Sequence, residues 1–246
     1  MSSSTSSSKS LPSVSIFYPY YNDWGTMGSM VLMTLQTAEK LGIDYDLTVV
    51  NDGSYGPQNE CVIAEIKSRF PHVNIVQHEK NRGYGGALRS GFSSATREWV
   101  FYTDGDAQYD VRELALLIEK AGPEVDLVQG FKIARGDPFH RKLIGRVYHN
   151  FVKFCFGLKV RDTDCDFRLL RKKILDEIEL TSDSGTICVE LMYKIKKGNY
   201  RIVEVPVHHF ERAHGKSQFF NFPRLIRTFR QLFELWWREI VRGGKK

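Results

Sequence analysis

Apolar residues follow two rhythms along this chain. Short runs rich in Val, Ile, Phe and Tyr stand at positions 14–19, 45–50, 73–78, 98–103 and 126–130, and these predict buried strands. Between them the apolar positions recur at helical spacing. Met30, Leu32, Met33, Leu35 and Ala38 mark a helix over 28–41, and Cys61, Val62, Ile63 and Ile66 mark another over 58–70. Further helices are expected over 83–95 and 111–121. Strands alternating with helices predict an α/β fold, with a mainly parallel central sheet covered on both faces. Right-handed crossovers bring the strand ends to one edge, so Pro19, Asp52 and Asp104 should converge there. Pro19 itself reads as the start of a loop, because proline ends a ladder.

The second half is less regular. Residues 135–150 are rich in Arg, Lys and His and read as a solvated helix face. Helices are expected over 169–178 and 186–197, the latter with Glu190 among apolar neighbours. A late strand over 201–207 contains Pro206, which places it near a sheet edge. A polar loop follows, with His208, His209 and His214; the adjacent pair is poorly spaced for one metal, so phosphate-facing or structural roles are preferred. The last stretch, 222–246, is the clearest amphipathic helix, with Leu225, Ile226, Phe229, Leu232, Phe233, Trp236, Trp237, Ile240 and Val241 in register. It fits either a helix lying in a membrane interface or a terminal helix packed on the domain or a partner. The organisation expected is a Ser-rich disordered tail over 1–12, one domain over 13–221 and the basic helix over 222–246.

Charge sharpens the picture of the tail. The net charge is +6, and residues 222–246 carry seven Lys/Arg against two Asp/Glu. Such a patch favours anionic partners. It lies on an amphipathic helix and not on a reading motif, which argues against nucleic acid. The four cysteines show no CxxC spacing, so neither a zinc site nor a disulfide framework is expected, and a reducing compartment is the default. No apolar run is long enough to span a bilayer, and no signal-peptide region opens the chain.

The candidate chemistry sits where the fourth strand ends, at Asp104-Gly105-Asp106-Ala107-Gln108. Asp, Gly and Asp are ordinary turn residues. Two carboxylates at the carboxyl edge of an α/β sheet also suit Mg²⁺ or Mn²⁺ holding a diphosphate.

Six segments in order resemble family 2 glycosyltransferases of the GT-A fold, and within them the dolichyl-phosphate mannose or glucose synthase branch. They are Pro19-Tyr20-Tyr21-Asn22-Asp23, Asn51-Asp52-Gly53-Ser54, the glycine-rich run Asn81 to Gly91, Asp104 to Gln108, Asp162 to Arg168, and Glu204-Val205-Pro206 with Arg212 to Ser217. Asp23 stands where the family has Glu, Asn51 where it has Asp, and Asp166 where it has Gly. The resemblance implies nucleotide-sugar binding by Pro19, Tyr21, Asp23, Asp52, Asp104 and Arg135. It implies Mg²⁺ or Mn²⁺ on Asp104, Asp106 and Gln108, catalytic roles for Asp106, Arg212 and Lys216, and acceptor or phosphate contacts from Arg168 and Ser217.

The expected reaction is inverting transfer of a hexose from a GDP-mannose or UDP-glucose type donor to a polyprenyl or dolichyl phosphate. That acceptor is already ionised and needs no base. Transfer to a hydroxyl of a glycan or glycolipid is the alternative, with Asp164, Asp166 or Glu190 as the base. A non-catalytic nucleotide-sugar-binding subunit is the third reading. The expected location is cytoplasmic, peripheral on the cytoplasmic membrane face, reached through residues 222–246 or a membrane partner.

Overall fold

The structure, a computed structural model, describes residues 11–135, 139–215 and 222–243. Its centre is a seven-stranded sheet in the order β3-β2-β1-β4-β6-β5-β7. The strands are β1 (Val14–Tyr20), β2 (Tyr45–Asn51), β3 (Asn74–Gln77), β4 (Trp99–Tyr102), β5 (Leu127–Arg135), β6 (Arg168–Arg171) and β7 (Ile202–His209). All pairings are parallel except those of β6, which runs antiparallel to β4 and β5. Every residue of β1 and β4 is buried, as befits central strands covered on both faces. β3 and β7 are the edges, and Pro206 lies on β7 as its chemistry requires.

The helices are α1 (Trp24–Leu41), α2 (Pro57–Arg69), α3 (Gly83–Ser94), α4 (Leu114–Lys120), α5 (Phe139–Phe156), α6 (Lys172–Glu177), α7 (Thr186–Lys197) and α8 (Phe222–Trp236). One core cluster lies under α1, α2 and α4. The other lies on the opposite face, under α3, α5, α7 and α8.

Two expectations need correction. The stretch 169–178 is not one helix: Arg168–Arg171 forms β6 before the short α6 begins. Leu169 and Leu170 point into opposite core clusters, which a strand allows and a helix turn does not. Pro19 does not end β1 either. It pairs with Val50 of β2, while the β1–β4 ladder stops at Phe17, so its missing N–H breaks no bond to β4.

The final helix packs on the domain. Leu232 and Leu235 are buried, and Trp236 and Ile240 pack against the same cluster. Thr186 Oγ1 donates to Thr228 O, Gln231 Oε1 accepts from Ser184 N–H, and Tyr193 OH donates to Glu239 O. After Trp236 the helix widens into a π-turn over Trp237–Arg242.

The glycine-rich run owes its glycines to close approach. Gly85 N–H donates to Asp183 O at 3.0 Å, and a Cβ at Gly85 would overlap the Ser182 carbonyl oxygen. Gly to Ala inside a helix normally stabilises by about 0.5–1 kcal/mol. Here overlap with backbone reverses the sign. Gly85→Ala is expected to lose roughly 1–3 kcal/mol of stability, measured by urea unfolding. A gain would show that the loop at Ser182 yields freely.

Candidate active site

The topology explains how distant residues meet. β1, β4, β5 and β7 all run the same way, so their carboxyl ends share one edge. β6 runs the other way, so the residues that precede it, Asp162 to Phe167, arrive at that same edge. The switch point lies between β1 and β4, because β2 and β3 extend on the far side of β1.

The two exits are fastened together. Thr26 Oγ1, in the first turn of α1, donates to Gly105 O at 2.7 Å. A Cβ at Gly105 would meet the end of the Met27 side chain and come within 3.1 Å of the Pro19 carbonyl, so the chain passes closely here. Asn22 and Ala107 flank this junction with φ of 61° and 59°, a left-handed conformation that ordinary residues rarely adopt. Backbone strain of this kind concentrates at functional sites.

Arg212 bridges the two exits. Its guanidinium reaches Asp106 Oδ2 at 2.6 Å and Asp23 Oδ1 at 3.0 Å. Its Nε is buried without a partner, and so is Thr103 Oγ1. The loop bearing Arg212 is held from below. Gln108 O accepts from Phe210 N–H at 2.8 Å, and Gln108 Nε2 donates to Phe210 O at 3.0 Å. His214 packs edge-on against Trp24 and over Gly25.

The carboxylates are crowded. Asp104 accepts from Tyr84 OH at 2.7 Å. Burial, then the charges of Asp166 and Asp106, push its carboxyl well above the usual range. Burial also raises Asp106, against the pull of Arg212. Burial lifts Asp23 to about 6, with Arg212 moderating and Asp106 adding to the rise. Burial lifts Asp164 to about 6 as well, opposed by Lys132 and reinforced by Asp162 and Asp166.

Several expected roles change in the structure. Arg168 is not placed as a phosphate ligand. It is fully buried and donates to Gln129 Oε1 (2.7 Å), Thr163 O (2.7 Å), Asp166 Oδ1 (2.9 Å) and Tyr102 OH. It serves to hold Asp166. Asp52 is buried too, with oxygens accepting from His78 Nδ1, Asn81 Nδ2 and the Arg82 N–H. Its carboxylate shapes the loop leading to α3 instead of facing open space. Gln108 donates from Nε2 to Phe210 O, a bond that leaves its amide oxygen, the atom that would ligate a cation, uninvolved. Glu190 is fully buried and accepts from Thr181, Ser182, Lys194 and Arg238. Burial works against its charge, but those hydrogen bonds, from Lys194 first, hold its carboxyl below the ordinary value. A carboxylate so saturated has no lone pair left for a base.

Arg135 closes β5 opposite His209. Its side chain, together with Lys216 and Ser217, lies outside the described residues. Pro19 and Tyr21 stand at the β1 exit, where Tyr21 meets Tyr55 with ring centroids 6.5 Å apart. Tyr84 and Tyr55 went unremarked in the sequence; a Tyr inside the glycine-rich run was the available signal for Tyr84.

Among the described residues no three His, Cys, Asp or Glu side chains form a metal-binding group. Asp104 and Asp106 alone fit the mode in which Mg²⁺ or Mn²⁺ takes one or two carboxylates and completes its shell with phosphate oxygens and water. The uncompensated crowding at Asp104 is what such a cation would relieve.

The raised carboxyls set a pH dependence. Asp23 and Asp164 move from an ordinary 3.8 to about 6, so the folded state binds protons more tightly than the unfolded chain. Their contribution is complete below 3.8 and fades as pH rises through 6. In a chelator, the melting temperature is expected to fall between pH 5 and pH 7, by the equivalent of about 1 kcal/mol per group. Asp164→Asn should flatten the slope in differential scanning fluorimetry; a melting temperature that climbs over this window would contradict the assignment.

Comparison with known proteins agrees with this geometry. The family model for glycosyl transferase family 2 matches residues 15–179. Crystal structures of glucosyl-3-phosphoglycerate synthase from Mycobacterium tuberculosis share the fold. The complex with phosphoglyceric acid superposes with a TM-score of 0.69 at 18% identity, covering 92% of this chain and 79% of that one. The complex with Mn²⁺, UDP-glucose and phosphoglyceric acid gives 0.68 at 18% identity, with coverage of 92% and 79%. The complex with Mg²⁺ and UDP gives 0.67 at 17% identity, again with 92% and 79%. The mostly parallel sheet with helices and a C-terminal helix is the GT-A architecture of these neighbours. With the acidic pair at the β4 exit and the family match over two thirds of its length, the chain belongs to glycosyl transferase family 2.

Proposed function

We propose that this chain is an inverting, metal-dependent hexosyltransferase that takes its sugar from a nucleoside diphosphate donor and delivers it to a polyprenyl phosphate. The observation that carries the donor half is the convergence of Asp104, Asp106, Asp23 and Arg212 at one sheet edge. The nucleobase and ribose fit the β1 and β2 exits, near Tyr21 and Tyr55. Asp104 and Asp106 would hold Mg²⁺ or Mn²⁺, which when bound supplies charge neutralisation at the diphosphate. The structural neighbours crystallised with Mn²⁺ or Mg²⁺ and UDP support this assignment.

Arg212 is the mobile counter-charge in this scheme. Its present partners are carboxylates, and its buried Nε has an unused donor. A diphosphate entering beside Asp106 offers that donor an oxygen, and charge developing on the leaving phosphate strengthens the bond. His214 over Trp24 and Gly25 keeps the loop across the cleft, which excludes water from the donor.

The acceptor half rests on Arg168. An acid at position 166 would repel an anionic acceptor, but Arg168 neutralises it at 2.9 Å from inside the core. A phosphate acceptor then meets less negative charge than the sequence alone implies. A hydroxyl acceptor is the second reading, favoured by one observation: Asp164 has a carboxyl near 6, suited to accept a proton near neutral pH. The neighbours bound to phosphoglyceric acid illustrate a small acceptor on this fold.

The deciding assay is turnover with Mg²⁺ or Mn²⁺, a panel of GDP- and UDP-sugars, and a short polyprenyl phosphate. Transfer to the lipid from one donor is the expected result. Donor hydrolysis without lipid product would favour the hydroxyl acceptor, and donor binding without any turnover would favour a non-catalytic subunit. Asp106→Asn is expected to lower turnover by about 10²–10³-fold while circular dichroism stays unchanged; near-normal turnover would remove Asp106 from the chemistry.

A further inference from the structure

The tail helix carries two apolar faces, and docking on α7 uses only one. Leu232, Leu235 and Trp236 turn inward. Ile226, Phe229, Phe233 and Trp237, spaced three to four residues apart, form a second stripe that faces solvent at 45–60% exposure. This stripe does not end at α8. Phe229 meets Tyr148 of α5, ring centroids 6.5 Å apart. Further along α5, Phe151 and Phe154 stand 51% and 88% exposed. Two helices far apart in sequence thus meet at Tyr148 and Phe229, and each carries exposed phenylalanines.

Cations border it. Arg227, Arg230 and Arg242 are exposed on the tail, and Arg146 is exposed on α5. Arg230 spends part of its charge on Glu234, 3.3 Å away. A second copy of this chain would fit poorly, because a twofold contact sets the same arginines against each other. An anionic bilayer surface complements both features: acyl chains take the aromatic stripe and headgroups take the arginines. The surface also adjoins the site. His149, beside Tyr148 on α5, hydrogen-bonds through Nδ1 to Thr163 Oγ1 at 3.0 Å, next to Asp164.

We infer that α5 and the outer face of α8 together form a peripheral docking surface for anionic lipid bilayers, placed so that a lipid acceptor enters the site along Tyr148. The entry route rests on the polyprenyl phosphate reading; the docking surface stands without it. No helix among the described residues is long and apolar enough to cross a membrane, so contact of this kind is interfacial.

Deleting 222–246 is not a clean test, since it would uncover the core beneath Leu232 and Leu235. The test keeps the full chain and changes exposed side chains only. Phe151→Ser with Phe154→Ser, Phe233→Ser, and Arg227→Gln with Arg230→Gln are compared with Leu116→Ser, an exposed apolar residue on α4. Each is co-sedimented with vesicles of phosphatidylcholine, with and without phosphatidylglycerol. The wild type and Leu116→Ser are expected to bind the anionic vesicles. Each phenylalanine variant should lose about tenfold or more in partitioning, and the arginine variant should lose the preference for anionic lipid. Wild-type binding by the α5 double variant would overturn the two-helix surface. Absence of vesicle binding, with transfer to a short polyprenyl phosphate intact, would overturn the surface and leave the enzymatic reading standing. Vesicle binding that fails in the variants, without lipid transfer by any form, would uphold the surface and sink the acceptor. A dimer in sedimentation velocity that the same substitutions dissociate, with no vesicle binding, would give the face to a second copy.

Discussion

Carboxylates crowded at one edge of the sheet are the constraint around which this molecule is arranged. Asp23, Asp104, Asp106, Asp164 and Asp166 come from three chain segments, and like charges so close in a buried setting repel strongly. Two arginines offset this in different ways. Arg168 is built in: its guanidinium is surrounded by Gln129, Thr163, Tyr102 and Asp166, and removing it would strand a buried acid at a cost of roughly 3–5 kcal/mol. Arg212 sits in a loop pinned at Phe210 and His214, pairs with Asp23 and Asp106, and retains an unused donor at Nε. One counter-charge is locked into the core beside Asp166, and the other bridges Asp23 and Asp106 at the sheet edge.

The reversed strand makes that arrangement possible. In an all-parallel sheet the segment 162–167 would lie at the amino edge, away from Asp104. Running β6 against β4 and β5 brings it to the carboxyl edge and points Arg168 inward beside Tyr102, its register partner on β4. The same reversal sets Leu169 and Leu170 into opposite cores, so the strand is anchored from both sides. Site and sheet therefore stand or fall together.

Much of this was readable in the sequence. The continuous apolar run of β1 and the acid pair after β4 carry signals that do not depend on distant partners. Expectations failed where partners decide the outcome. The stretch 169–178 has a helix's composition, but only the neighbouring strands can recruit Arg168–Arg171 into a ladder. Asp52 and Arg168 look like site residues from their motif positions and Glu190 from its charge; burial with saturated hydrogen bonds is a property of the fold and leaves no mark in a motif. Pro19 was misplaced because a ladder's end depends on where β4 stops, not on the proline itself.

The tail shows the same limit in another form. Its periodicity announces an apolar helix but sums two faces into one signal. A helix that only packed on α7 would need a stripe of about 100°, and the rest could be polar. Here aromatic residues continue around the cylinder to Phe233 and Trp237, both largely exposed. Keeping large rings in water forgoes the stabilisation their burial would bring, about 1.5–3 kcal/mol for a phenylalanine. Phe233 packs against Trp236 and Trp237 of its own tail and stays exposed, so packing on α7 accounts for the inner face alone. The outer face stays in solvent, with Phe233 60% and Trp237 45% exposed, so its aromatic character is not explained by the core beneath it.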